Sequence, residues 1–333
     1  FKKMQNPDGS VHFIVYNHSS QQQQTVSDVS TGAACVLAGI FAKACTVFSE
    51  VPGMESYTAD LLARAELSWT WLMAHPANYN PTSASGSVWS YGIRDDASFR
   101  AFAAIELYIA TGNTDYHTYF QTAFNRTGDA RTAFPGDDNG TGASGSSRHY
   151  ESLALITGIN GITAGYIDYV DTTRPVNTTI RNNIRGAFLT DAANALTNRN
   201  RTTYNLPLLY YNDLSWGSSG MLCGNAYVLL RAYEWTGNAN YRNAALDVLD
   251  WIGGRNPVSR VFLTGYGDYL HGTDHYSFYM FDHLNPVPGY LCGNINAFGG
   301  DWGQHPLPHY IQYKYKYYLN IQSAAILEPC LPW

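Results

Sequence analysis

The chain has 333 residues, enough to bury a large core, and 45% of them are hydrophobic against 14% charged, the balance of a soluble globular protein. A net charge of −6 with no basic cluster excludes nucleic acid as a partner, and no run approaching 18 apolar residues is evident, so no membrane span is expected. Aromatics make up 14%, with 26 Tyr and 8 Trp; packing between helices accounts for most, and the surplus suits surfaces that bind flat, hydroxylated molecules.

In chain order, the turn Asn6-Pro7-Asp8-Gly9 precedes a strand candidate at 10–16. Residues 29–48 predict an Ala-rich apolar helix, with Ser27 and Asp28 as cap candidates. In 58–74, Leu61, Leu62, Ala65, Trp69, Leu72 and Met73 form one stripe, which Pro76 ends. Helical patterning continues over 96–111, 115–124, 149–169, 180–196, 218–236 and 239–253, with turn-rich loops between, notably the polar stretch 135–147. Residues 251–296 follow neither the helical nor the strand period, yet are too aromatic for disorder, which marks a functional loop.

One motif repeats. Tyr108, Thr111, Gly112, Asn113 and Tyr116 recur with identical spacing as Tyr233, Thr236, Gly237, Asn238 and Tyr241. Each copy reads as a helix ending at a C′ glycine, a short turn and a Tyr opening the next helix. Two such hairpins so far apart predict an all-α ring of antiparallel hairpins, an α/α toroid, rather than a solenoid of fixed period. A closed ring implies one domain over 1–333.

The five cysteines, Cys35, Cys45, Cys223, Cys292 and Cys330, have no CxxC spacing and read as core thiols rather than a metal site or disulfide framework. Sequons at Asn17, Asn125, Asn139, Asn177 and Asn200 are candidate N-glycan sites and favour secretion. The opening Phe1-Lys2-Lys3-Met4 does not resemble a natural start, so a processed or trimmed piece is expected.

An ordered series of motifs resembles glycoside hydrolase family 9 almost end to end. It comprises KMQNPDGS (3–10), VSTGAA (29–34), WTWLMAHP (69–76), AAIELYIATGNTDYHTYF (103–120), Trp216-Gly217-Ser218, GGRNP (253–257), LTGYGD (263–268) and PVPG (286–289). The resemblance implies the (α/α)6 toroid, a secreted protein and inverting cleavage of β-1,4-glucan, which needs no cofactor. Inversion uses two carboxyl groups roughly 6.5–9.5 Å apart, a base acting on water and an acid on the leaving oxygen.

The chain departs from the family at these groups. The DAGD motif that carries the base is absent, and the chain opens downstream of its expected place, so about two helices are expected to be missing. Tyr317-Tyr318-Leu319-Asn320 fits the family's Y-x-x-N, but the acid's place falls on Ile321, or on Gln322 after a one-residue shift; neither side chain can donate a proton and return as a carboxylate. At the family's HHR the chain reads Asp274-His275-Tyr276, without the substrate-gripping Arg. Asp268, Asp274, Asp282 and Asp301 read as solvated or turn-capping residues.

By resemblance, the sugar-binding residues are Trp216, Tyr266, His275, Trp302 and Tyr310, aromatics for pyranose faces and a polar ring for hydroxyls. Some relatives hold a structural calcium, for which Asp95-Asp96 and Asp137-Asp138 are the carboxylate candidates, although solvated loops fit both pairs. The expected partner is a β-glucan. The competing expectation is a catalytically inactive extracellular protein that reuses the toroid in a structural or self-assembling role.

Overall fold

A computed structural model describes residues 2–13, 15–16, 25–79, 96–123, 162–202, 204–207 and 218–256, and beyond these 259, 261–263, 265–267, 288–289 and 291. The chain divides into two compact units, Phe1–Ala187 and Phe188–Trp333.

In the first unit the Asn6–Gly9 turn closes through Asn6 N–H to Ser10 O (2.9 Å) and Gly9 N–H to Asn6 O (3.0 Å). Gln5 fastens it to the following helical hairpin, donating to Arg64 O (2.8 Å) and Ser68 Oγ (2.9 Å), while Ser68 donates to Gly9 O (2.8 Å). The strand expected over 10–16 is reduced to β1 (Val15–Tyr16) paired with β2 (Thr25–Val26), plus single bridges at Val11 and His12. A continuous ladder is interrupted because Phe13 N–H donates to the Ser27 hydroxyl (2.9 Å) instead of a neighbouring strand.

Helix α1 (Thr31–Phe48) is capped by Ser30, whose hydroxyl accepts from Ala33 N–H, and not by Ser27 or Asp28. Those two are already engaged: Ser27 donates to Asp28 O, and the Asp28 carboxylate accepts from Val29 N–H and the Tyr79 hydroxyl. Contrary to the expectation that no apolar run approaches 18 residues, α1 is by length and composition alone long and apolar enough to cross a membrane. Here it is a core helix instead, with no exposed residue from Thr31 to Thr46.

Helix α2 (Glu55–Ala74) runs back along α1, burying Leu61, Ala65, Trp69 and Leu72 on one stripe. Helix α3 (Ala97–Thr111) is buried without interruption from Phe99 to Tyr108. It lies parallel to α1: Gly39 admits the Phe102 ring, and one turn further on Lys43 reaches Glu106. Helix α4 (Thr114–Ala123) returns on the outside with only Tyr116 and Phe120 buried. Helix α5 (Ile162–Asp171) continues the parallel interior set, with Gly165 against the Phe102 ring. Largely buried interior helices, alternating with helices that run back outside them and bury one stripe, is the hairpin pattern the repeat predicted.

The two repeat copies also share their hydrogen bonds. Thr111 and Thr236 bond back to Leu107 O (2.7 Å) and Ala232 O (2.6 Å), and their hydroxyls then accept from Asn113 N–H and Asn238 N–H. The side chains of Asn113 and Asn238 cap the next helix at Asp115 N–H and Asn240 N–H. Gly112 (φ +74°) and Gly237 (φ +71°) take the left-handed conformation that ends the first helix of each hairpin.

Helix α6 (Thr178–Arg199) begins at Asn177, whose side-chain Oδ1 accepts from Thr179 and Ile180 N–H. In the second unit α7 (Ser218–Thr236) and α8 (Ala239–Ile252) form the second hairpin. Leu206, Leu222, Val248, Trp251, Ile252 and Phe262 make its core.

Candidate functional site

The loop after α8 is built by the residues that end that helix. Asn256 donates from its side-chain amide to Trp251 O (2.7 Å), and Arg255 N–H to Asp250 O (2.8 Å), satisfying carbonyls left open at the helix end. The Arg255 guanidinium bonds Asp247 (2.6 Å) and lies 3.5 Å from Asp250. Asp247 also pairs with Arg199 from α6, so one buried carboxylate ties two elements to the loop. The GGRNP segment is thus a helix terminator and loop anchor.

From that anchor the chain turns back: Phe262 N–H donates to Ile252 O (2.8 Å) and its ring enters the core. Leu263 pairs with Leu291, joining the two glycine-rich loops that the motifs singled out. Gly265, at φ +76°, passes so close to Pro288 that a Cβ there would lie 2.9 Å from the proline Cβ. Between Gly265 and Gly267 stands Tyr266, 57% exposed, with its ring edge facing Gly289. An exposed aromatic on a turn braced from behind can offer a flat apolar face to a sugar ring.

Tyr266 is the expected sugar-binding residue that falls within the described residues; Trp216, His275, Trp302 and Tyr310 lie outside them, as do Ile321 and Gln322 at the acid's place. Asp95, Asp137, Asp138, Asp268, Asp274, Asp282 and Asp301 lie outside as well. Asp96 is buried rather than solvated: both its oxygens accept from Arg100 (3.0 and 3.1 Å), and Arg100 also donates to Leu72 O and His75 O. A carboxylate so committed does not fit a calcium site. Cys35, Cys45 and Cys223 are free thiols, and burial raises the Cys35 thiol well above its usual range.

Of the candidate glycan sites, Asn17, Asn125 and Asn139 lie outside the described residues. Asn177 donates its side-chain amide to Gln121 Oε1 (3.0 Å) while it caps α6, whereas Asn200 is exposed at the end of that helix.

Sequence reasoning missed a second constellation. Glu106, within the ELY segment, is 1% exposed and shares Lys43 with Asp168. Burial first, then the neighbouring Asp168, push its carboxyl well above the usual range, with Lys43 opposing. No local pattern pointed to it, because its partners come from two other helices.

The profile described as glycosyl hydrolase family 9 matches residues 6–333. A cellulose 1,4-β-cellobiosidase of Acetivibrio thermocellus is 26% identical over 339 residues, which cover 89% of this chain and 35% of that protein. A xyloglucan-specific endo-β-1,4-glucanase of Bacteroides ovatus is 27% identical over 310 residues, 86% of this chain and 47% of that protein. Among solved structures, a metagenome-derived family 9 endoglucanase superposes with a TM-score of 0.74 at 24% identity, covering 99% of this chain and 60% of its own. The family 9 endoglucanase J30 gives 0.71 at 25% identity, with 90% and 52% covered. The chain therefore spans only part of the length of these relatives. The fold they share is the (α/α)6 toroid, whose alternation of interior and outer helices the first unit displays. With the family profile matched over residues 6–333 of the chain and the TGYG turn packed against Pro288, this chain belongs to glycosyl hydrolase family 9.

Proposed function

We propose that this family 9 domain, one domain over 1–333, is extracellular, binds β-1,4-linked glucan along an aromatic-lined cleft, and does not itself hydrolyse it. The observation that carries the reading is Tyr266, an exposed ring on a turn braced by Pro288 and Gly289, in a chain whose relatives act on cellulose and related glucans. Trp216, His275, Trp302 and Tyr310 supply the further sugar contacts. Hydrolysis is excluded from the proposal because the acid's place is taken by Ile321 or Gln322, neither of which carries a proton to give to the leaving oxygen. Glu106 is no substitute, being 1% exposed and enclosed between the helices of the first unit. Asn200 is the described sequon best exposed for a glycan.

Titration with cellohexaose by calorimetry, beside a reducing-end assay on soluble cellulose, tests both halves. Saturable binding that weakens in Tyr266→Ala, with no sugar release, is expected. Release by the pure protein overturns the inactive half, and absence of binding overturns the glucan half. Absence of binding together with concentration-dependent self-association in ultracentrifugation would support the structural role instead.

A further inference from the structure

Three parallel interior helices of the first unit are joined by one charged cluster, in which Lys43 of α1 pairs with Asp168 of α5 and lies 3.9 Å from Glu106 Oε1 on α3. The Glu106 carboxyl is enclosed. Its Oε1 has no hydrogen-bond partner and lies beside Gly165, where a Cβ would stand at ordinary contact distance, 3.5 Å. Water reaches the cluster through the side chains of Lys43, 37% exposed, and Asp168, 28% exposed.

Two acids thus share one ammonium. With both ionised, the cluster carries a net negative charge, and its most buried member has only a distant ion pair to offset lost hydration. A single retained proton removes that charge. We propose that Lys43, Glu106 and Asp168 form a proton-sharing junction that clamps α1, α3 and α5 together while Glu106 is protonated, and that loosens at alkaline pH when Glu106 ionises.

Among the described residues, Lys43 is the cation that pairs within the cluster. On α1 Glu106 faces Lys43, and on α5 it faces Asp168. From α4, His117 turns to the Tyr169 hydroxyl (2.8 Å) and Tyr116 to Glu66 of α2 (3.4 Å); Arg100 on α3 itself is taken by Asp96. The direction in which burial and Asp168 move Glu106 agrees. Because its folded value lies above its unfolded one, its contribution is fully present below the ordinary carboxyl range and is lost as pH rises through the folded value.

The test is thermal unfolding of the full chain from about pH 5 to about pH 10 for wild type, E106Q and D168N. In wild type the midpoint falls toward the alkaline end. E106Q, uncharged and of the same shape, flattens that fall and becomes the more stable protein there. D168N also gives a shallower alkaline limb, because Glu106 then has Lys43 to itself. Infrared spectra at neutral pH should show a buried protonated-carboxyl stretch in wild type that E106Q lacks. A uniform loss of stability in E106Q at every pH would overturn the proposal, as it would mean an ionised Glu106 paired with Lys43. Should E106Q fail to fold, an alkaline limb unchanged in D168N, or no protonated-carboxyl band in wild type, would overturn it equally.

Discussion

Gly112 and Gly237 occupy the same place in two copies of one motif, but their surroundings differ. A Cβ on Gly237 would meet nothing within 4 Å, while one on Gly112 would run into the Arg174 guanidinium. Arg174 is itself employed, donating to Ile109 O (2.5 Å) and Ala110 O (3.3 Å) at the end of α3. Gly237→Ala therefore isolates the cost of a left-handed backbone, about 1–2 kcal/mol. Gly112→Ala should cost measurably more, and urea denaturation of the two variants checks the ordering. At Tyr266 the expectation is on binding: Tyr266→Ala should weaken cellohexaose affinity roughly 3- to 10-fold, the worth of one aromatic contact, with an unchanged melting temperature because the ring is exposed. The glycines were readable because a helix end is a local event. The α1 cap was not: Ser27, Asp28 and Ser30 are all good capping residues, and contacts from Phe13 and Tyr79 decide which is left to serve.

Among the elements, α8 with its terminating segment is the one on which the candidate site rests. Asp247 receives both Arg199 and Arg255, so its removal leaves two cations without their shared anion. Both arginines keep some access to water, which lowers the expected cost of Asp247→Ala to about 2–3 kcal/mol, below that of breaking a fully buried pair. If the anchor works as described, the same variant should weaken glucan binding through displacement of Tyr266. Hydrogen exchange at 253–267 and denaturant unfolding measure the two effects. Helix positions were well predicted: α1 to α4 and α6 to α8 fall within a few residues of the apolar periods, and α5 matches in the part that is described. The strand at 10–16 was overestimated because alternation fixes which face is apolar, not whether a neighbour supplies the ladder.

The whole molecule should have a stability optimum bounded on both sides. On the acid side Asp8 is held below the ordinary carboxyl range by the Ser10 hydroxyl and N–H, and Asp60 by Lys2. Burial lowers His117, which sits stacked on Tyr108 and bonded to Tyr169. Folded values below the unfolded ones mean stability lost as pH falls, first through the histidine range and then through the carboxylates. On the alkaline side Glu106 acts with the opposite sign. A calorimetric pH series should show both limbs, and His117→Gln should remove the step nearest neutrality while leaving the alkaline limb in place.

The sequence by itself determined the helices, the two equivalent hairpins and, through the order of its motifs, the family. These are encoded by residues within a few turns of one another or by short loop signatures. Only the tertiary structure decided that α1, long and apolar enough for a membrane, is an interior helix, that Arg255 and Asn256 serve to end α8, and that Lys43 meets Asp168 across 125 residues of chain. Periodicity tells a helix which side to bury. It does not say against which neighbour, and a shared proton depends on that choice.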